Sequence, residues 1–142
     1  MTRVMASGVF DIIHTGHVSY LEQAAALGDE LVVVVACDTT VRRRKHEPIT
    51  PEDMRARIVG ALKPVDRVVI GRDGDMFDTV AELRPDIIVL GFDQTFDESE
   101  LESQLESRGF PGIRVVRADE CADDLNATRR IVSRIRRMGG DE

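Results

Sequence analysis

Short apolar runs alternate with longer periodic segments along this chain. Residues 4–7, 31–37, 67–70, 87–90 and 113–116 read as five strands. The second and fourth are apolar without interruption, which calls for cover on both faces and predicts a parallel sheet. Between the strands the period becomes helical. Residues 16–27 carry Val18, Leu21, Ala24, Ala25 and Leu27, and Gly28 follows where a helix would close. Thr50, Pro51, Glu52 and Asp53 spell a helix start: a hydroxyl cap, a proline in first position, acids in the first turn. That helix is expected to bury Met54, Ile58, Ala61 and Leu62. Residues 76–83, 98–105 and 126–138 complete the helices. Such alternation with short connections predicts a single doubly wound α/β domain with a five-stranded parallel sheet over residues 1–138, and a disordered tail at 139–142.

Composition narrows the partners. The longest apolar block, 31–37, falls far short of the roughly 20 residues a membrane helix needs. The first residues lack the apolar stretch of a secretory leader, so a cytoplasmic protein with no membrane partner is expected. A net charge of −7 argues against nucleic acid as a partner. Cys37 and Cys121 match neither a disulfide framework nor a metal spacing. Cys37 ends an apolar run and is expected to be buried, whereas Cys121 lies in a polar loop, as a reactive thiol or an inert one.

In open α/β sheets ligands bind beyond the carboxyl ends of the strands. The loop after the first strand contains Gly8, Val9, Phe10 and Asp11, then His14, Thr15, Gly16 and His17. Gly8 permits a sharp exit from the strand, and Gly16 lets the backbone approach a ligand closely. His14 and His17, three apart at a helix start, project toward one place. The helix N-terminus adds unpaired N–H groups suited to phosphate. Two imidazoles there can donate to phosphate oxygens and stabilise the added charge of a five-coordinate phosphorus. The same pair would also suit a core position or, with Asp11, a metal site; the glycine-bearing strand–helix turn favours phosphate. Neither G-x-G-x-x-G nor G-x-x-x-x-G-K-[ST] occurs, which weakens a dinucleotide oxidoreductase and a P-loop NTPase.

Taken together, these residues resemble the G-x-F-D…H-x-G-H signature of the cytidylyltransferase-like nucleotidyltransferases. The likeness runs from Val4 to about Arg137. Asp38, Thr39 and Thr40 resemble the family's aspartate-containing turn, and Arg42, Arg43, Arg44 and Lys45 its basic loop. Pro51, Glu52, Asp53, Met54 and Arg55 resemble its arginine-bearing helix, and Gly91, Phe92, Asp93 and Gln94 a stretch that holds base and ribose. The resemblance implies a Rossmann-like fold, attack of an acceptor phosphate on the α-phosphorus of a nucleoside triphosphate, and departure of pyrophosphate without a covalent intermediate. It further implies a divalent cation, Mg²⁺, held mainly by substrate phosphates with no protein metal ligand, and a homodimer. Within the family, Leu62 to Asp66, Pro85 to Gly91 and Asp93 to Thr95 are most similar to the archaeal FAD synthases. That implies ATP and FMN as substrates. CTP-dependent transfer to glycerol 3-phosphate, adenylylation of phosphopantetheine, and a non-catalytic nucleotide-binding module stand as alternatives.

The site residues follow from this likeness. Val9, Phe10, Asp11, His14, Thr15, Gly16, His17, Asp93, Arg117 and Thr128 are expected to bind the nucleotide. His14, His17, Lys45 and Arg129 would offset charge on the triphosphate, and Arg55 would take the acceptor phosphate as a bidentate partner. The basic run could instead be a solvated loop, Asp93 a turn residue and Arg117 a surface ion-pair partner. Two departures from the family pattern stand out. Val9 occupies a position where threonine is common, and Asn126, Ala127 and Thr128 keep one hydroxyl of a Ser/Thr motif, with Asn126 still able to cap the last helix. His46 reads as solvated.

Overall fold

Five strands, Arg3–Gly8 (β1), Glu30–Val35 (β2), Arg67–Ile70 (β3), Ile87–Leu90 (β4) and Arg114–Arg117 (β5), pair in parallel in the order β3-β2-β1-β4-β5. The computed structural model describes residues 1–44, 46–74 and 76–139. The helices are Thr15–Ala25 (α1), Asp38–Arg44 (α2), Glu52–Gly60 (α3), Met76–Leu83 (α4), Glu98–Ser107 (α5) and Thr128–Gly139 (α6). Among the described residues, no helix is long and apolar enough to cross a membrane.

Alternate residues of a strand face opposite sides of the sheet, and here both sides are dry. Val4, Ala6, Leu31, Val33, Val35, Ile87 and Val89 pack on one face with Leu21 and Ala24 of α1 and with Ala56 and Val59 of α3. Met5, Val32, Val34, Ile88 and Leu90 pack on the other with Val80, Leu83, Leu101 and Leu105 of α4 and α5. The doubly wound α/β architecture is the one the hydrophobic pattern predicts. The chain moves outward from β1 to β2 and β3, then crosses back to β4 beside β1. The strand order therefore reverses between β1 and β4, and a crevice opens beyond their carboxyl ends.

Five local expectations are corrected. Residues 38–44, expected as a turn and basic loop, form α2: Cys37 accepts from the Val41 N–H at 3.1 Å, Val41 is buried, and Asp38 and the three arginines sit at the ends that suit the helix dipole. In α3 the buried face is Arg55, Ala56 and Val59, leaving Met54 and Ile58 exposed at 49% and 39%. Arg55 turns inward because buried carbonyls wait for it, as described below. Thr50 does not cap that helix; Pro51 stands at the cap with no side-chain bond, and the Thr50 hydroxyl is used elsewhere. The last helix begins at Thr128 rather than at 126 and extends through Gly139, so Gly139 is helical and residues 140–142 lie outside the described chain. Asn126 is buried and gives its side-chain N–H to the Cys121 carbonyl at 2.6 Å instead of capping. Cys37 is buried, as its apolar run suggests.

Candidate active site

The β1–α1 loop is held in an unusual backbone shape. Phe10 and Ile12 have φ of 56° and 57°, the left-handed region that a β-branched residue such as Ile12 rarely adopts. Such residues persist only where the surroundings over-determine them, and here they do. The Asp11 carboxylate accepts from the Ile49 N–H (2.6 Å), the Thr50 N–H (3.1 Å) and the Thr50 hydroxyl (2.7 Å). The Thr128 hydroxyl donates to the Asp11 carbonyl at 2.6 Å. The Arg55 guanidinium donates to the Val9 carbonyl at 2.8 Å. The Phe10 ring is buried, stacked 6.4 Å from Tyr20 and tilted 5.2 Å from His17.

This frame orients the two histidines. His14 is the N-cap of α1, and its Nδ1 accepts from the Gly16 N–H at 3.0 Å. The Nδ1 of His17 accepts in turn from the His14 N–H at 3.3 Å, closing a reciprocal capping box. A neutral imidazole that accepts at Nδ1 carries its hydrogen on Nε2. Both rings are therefore set as Nε2–H donors, stacked with centroids 3.8 Å apart. Partial burial lowers the pKa of His14 below its usual value, which favours this neutral form. Gly16 serves the same arrangement for a reason different from the one its sequence suggested. A Cβ there would lie 2.8 Å from His14 Cε1 and run into the Asn126 carbonyl oxygen. The space is reserved for protein, not ligand.

The crevice at the strand reversal is a cleft of about 370 Å³. Tyr20 spans its base, its hydroxyl accepting from the Ser7 N–H at 3.1 Å and donating to the Val89 carbonyl at 2.6 Å, so β1 and β4 are joined there. Burial pushes the Tyr20 phenol well up, and it stays neutral. Of the sequence-predicted residues, Val9, Phe10, Asp11, His14, Gly16, His17, Asp93, Thr128 and Arg129 line the cleft. Lys45 lies outside the described residues.

Three predicted contacts stand elsewhere. Thr15 is exposed on the first turn of α1 and does not line the cleft. Arg55 is fully buried, and its guanidinium is committed to Thr50, Val9 and Ala36 carbonyls and to the Asp38 carboxylate at 2.5 Å, so it cannot reach an acceptor phosphate. Arg117 pairs with Glu98 and donates to the Gly91 and Gln94 carbonyls at 3.1 and 2.8 Å. It braces the β4–α5 loop from behind, and Asp93 on that loop meets the cleft. The Gln94 carboxamide accepts from the Gly91 N–H at 2.8 Å and tightens the same turn.

Gln94, in the stretch expected to hold base and ribose, also lines the cleft, whereas the sequence reading missed Tyr20, Asp119, Cys121 and His46 as lining residues. Asp119 and Cys121 follow β5, so the rule that sends ligands to strand ends pointed to them. Gln23 of α1 ties that loop down, exchanging bonds of 2.8 and 3.2 Å with the Asp119 backbone. His46, read as solvated, is exposed at the cleft rim.

Residues 5–133 match the cytidylyltransferase-like family. A protein of Aciduliprofundum boonei called FAD synthase is 57% identical over 136 residues, covering 95% of this chain and 91% of its own. Another FAD synthase, from Thermoplasma acidophilum, is 48% identical over 141 residues and 99% of each chain. A crystal structure from Thermoplasma volcanium, described as a lipopolysaccharide core biosynthesis protein, superposes with a TM-score of 0.83 at 50% identity, covering 85% of this chain and 98% of that one.

Proposed function

The chain belongs to the cytidylyltransferase-like family, and from that membership and its FAD synthase relatives we propose that it transfers the AMP group of ATP to the phosphate of FMN, giving FAD and pyrophosphate. The observation that carries the chemistry is the histidine pair: two rings 3.8 Å apart, each with Nδ1 occupied by a backbone N–H at a helix N-terminus.

ATP lies in the cleft with its base and ribose toward Asp93, whose carboxylate accepts from amino or hydroxyl groups. The Nε2–H groups of His14 and His17 donate to phosphate oxygens as charge builds around the α-phosphorus. The Thr128 backbone N–H and Arg129, at the start of α6, and Lys45 take part of the triphosphate charge, the Thr128 hydroxyl being held by the Asp11 carbonyl. An oxygen of the FMN phosphate attacks the α-phosphorus, the bond to the bridging oxygen breaks, and pyrophosphate leaves with the electron pair. The acceptor is already a nucleophile, so no side chain forms a covalent bond. Positioning and electrostatics supply the catalysis.

A magnesium ion would be held mainly by the substrate's own phosphates. Among the described residues no three His, Cys, Asp or Glu converge into a metal-holding group, and both Asp11 carboxylate oxygens are taken by the 49–50 segment. The residues present fit an ion carried on phosphate oxygens, where it neutralises charge on the triphosphate. We place the enzyme in the cytoplasm, as a homodimer that binds no nucleic acid.

The test is pyrophosphate release from ATP and from CTP, each offered FMN, glycerol 3-phosphate or phosphopantetheine. Release with ATP and FMN alone is expected. Turnover of CTP with glycerol 3-phosphate would overturn the substrate assignment, and nucleotide binding with no release from any pair would make this a binding module.

A further inference from the structure

Strand β1 runs beside β2 from Arg3 to Gly8, but beside β4 only from Val4 to Ala6, against Ile87 to Val89. Both strands continue past that point. β1 reaches Gly8, and β4 reaches Leu90, which is still paired with Arg117 of β5. In a parallel ladder the next rung would carry the Ser7 N–H to a carbonyl of β4. The Tyr20 hydroxyl is inserted there instead. It accepts from the Ser7 N–H at 3.1 Å and donates to the Val89 carbonyl at 2.6 Å. Two hydrogen bonds in series thus span a gap that one bond of about 2.9 Å would otherwise close. One oxygen both parts the strands and joins them, at the place where the cleft begins: Ser7, Gly8, Tyr20 and Gly91 all line it.

Tyr20 belongs to the histidine side of this gap. It follows His17 by one turn of α1. Its ring stacks 6.4 Å from Phe10, which in turn meets the His17 ring at 5.2 Å. On the other side, Val89 leads through Leu90 and Gly91 to the loop bearing Asp93. A nucleotide gripped at its phosphates by the histidines and at its base and ribose by that loop touches both walls. The hydroxyl cannot leave without stranding a backbone N–H and a carbonyl inside the sheet, so the gap has one preferred width. Two half-sites at the right spacing bind far more tightly together than either does alone.

We propose that Tyr20 is the positioning residue of the nucleotide site, its hydroxyl setting the distance between the wall that carries His14 and His17 and the wall that carries Asp93. It touches no reacting atom and acts through the placement of both walls. The proposal rests on the reading that ATP spans them.

The experiment uses the full-length enzyme and Tyr20→Phe, which keeps the ring against Phe10 and removes the wedge. At a temperature where circular dichroism shows both proteins fully folded, kcat/KM for ATP should fall by about tenfold or more, because a small misplacement at the reacting centre is costly. Inorganic triphosphate reaches only the histidine wall, and adenosine only the other. Their affinities, read by calorimetry, should each change by less than about twofold. An undiminished kcat/KM for ATP overturns the proposal and leaves the hydroxyl a structural role alone. A matching loss of triphosphate or adenosine affinity overturns it too, since the hydroxyl would then support one half-site rather than the spacing. Should Tyr20→Phe fail to fold, the wild type carries the test: Tyr20 is the one tyrosine in the chain, so meta-fluorotyrosine labels it alone. Its fluorine resonance should shift more with ATP than with triphosphate and adenosine added together, and equal shifts overturn the proposal. If the wild type releases no pyrophosphate from ATP, the proposed reaction fails, and the comparison is read from the affinity for ATP, which Tyr20→Phe should weaken while both fragments hold.

Discussion

Replacing Arg55 with methionine separates a structural arginine from a substrate-binding one. The side chain is fully buried and makes four hydrogen bonds: Nε to the Thr50 carbonyl at 2.9 Å, Nη1 to the Val9 and Ala36 carbonyls at 2.8 Å each, and Nη2 to Asp38 at 2.5 Å. Methionine keeps much of the volume and removes every donor. Breaking one side of a buried ion pair costs about 3–5 kcal/mol, because the surviving charge is left unpaired. The Asp38 side chain is 20% exposed and recovers some hydration, so the lower end, about 3 kcal/mol, applies. For a domain of this size each kcal/mol moves the melting midpoint by roughly 3–4 °C, and a fall of about 10 °C is expected. Thermal melts followed by circular dichroism measure it. Adding Asp38→Leu should restore a good part of the loss, since an apolar pair of similar volume often matches a buried ion pair. Arg55→Lys serves as the partner variant if methionine fails to fold. A melting point within about one degree of wild type, with KM for FMN raised tenfold, would refute this account and return Arg55 to the acceptor phosphate.

Three further outcomes follow from the same geometry. His17→Ala should lower kcat by on the order of 10²-fold or more, the size of losing one oxyanion-type donor, while the fold persists; near-normal turnover would sink the phosphate role of the pair. Gly16→Ala should destabilise the protein by about 1–3 kcal/mol, because a Cβ meets the His14 ring at 2.8–2.9 Å and the rigid Asn126 carbonyl; a denaturant midpoint equal to wild type would show that the loop yields freely. The His14 ring should titrate below 6.5 in the ligand-free enzyme, since burial disfavours its charged form. The unfolded ring then binds protons first, so this contribution to stability is present above about pH 6.5 and is lost as pH falls toward the folded pKa. Proton NMR of the ring checks it, and a midpoint at or above 6.5 is the contrary result.

The parts of this fold that were legible in the sequence are those decided by neighbours in sequence. The run 87–90 coincides with β4 because a strand buried on both faces has few polar positions to blur its ends, and 67–70 coincides with β3, a partly buried edge strand. The histidine tetrad was legible for a similar reason, since its capping box lies within four residues. Helix α2 was not, because two polar turns anchored by Val41 alone carry almost no periodic signal. The buried face of α3 was misread because hydropathy puts arginine in solvent. The acceptors that draw Arg55 inward come from Val9, Ala36, Asp38 and Thr50, which only the parallel topology brings together. Asp119 and Cys121 escaped for the same reason: the crossover from β3 to β4 brings the loop after β5 beside the tetrad, whereas Tyr20 lies on α1 one turn after His17.

The correction at Arg55 also bears on how the tetrad works. Positive φ at Phe10 and Ile12 costs of order 1–3 kcal/mol at each residue. Against this stand three bonds to the Asp11 carboxylate, one from Arg55 and one from Thr128, and charge-assisted bonds contribute about 1.5–3 kcal/mol each. The tethers outweigh the strain only while most of them hold. Weakening one should let the loop relax toward ordinary backbone angles before the domain unfolds, carrying the stacked rings out of their present positions. A displacement of about 1 Å at a reacting centre can cost 10²-fold in rate. Groups committed to holding the loop, the Arg55 guanidinium, the Asp11 carboxylate and the Thr50 hydroxyl, should therefore affect kcat more sharply than stability alone would suggest. The loop's residues and their anchors act as one device, in which the orientation of the two histidine rings is supplied from β1, the 49–50 segment, α3 and α6.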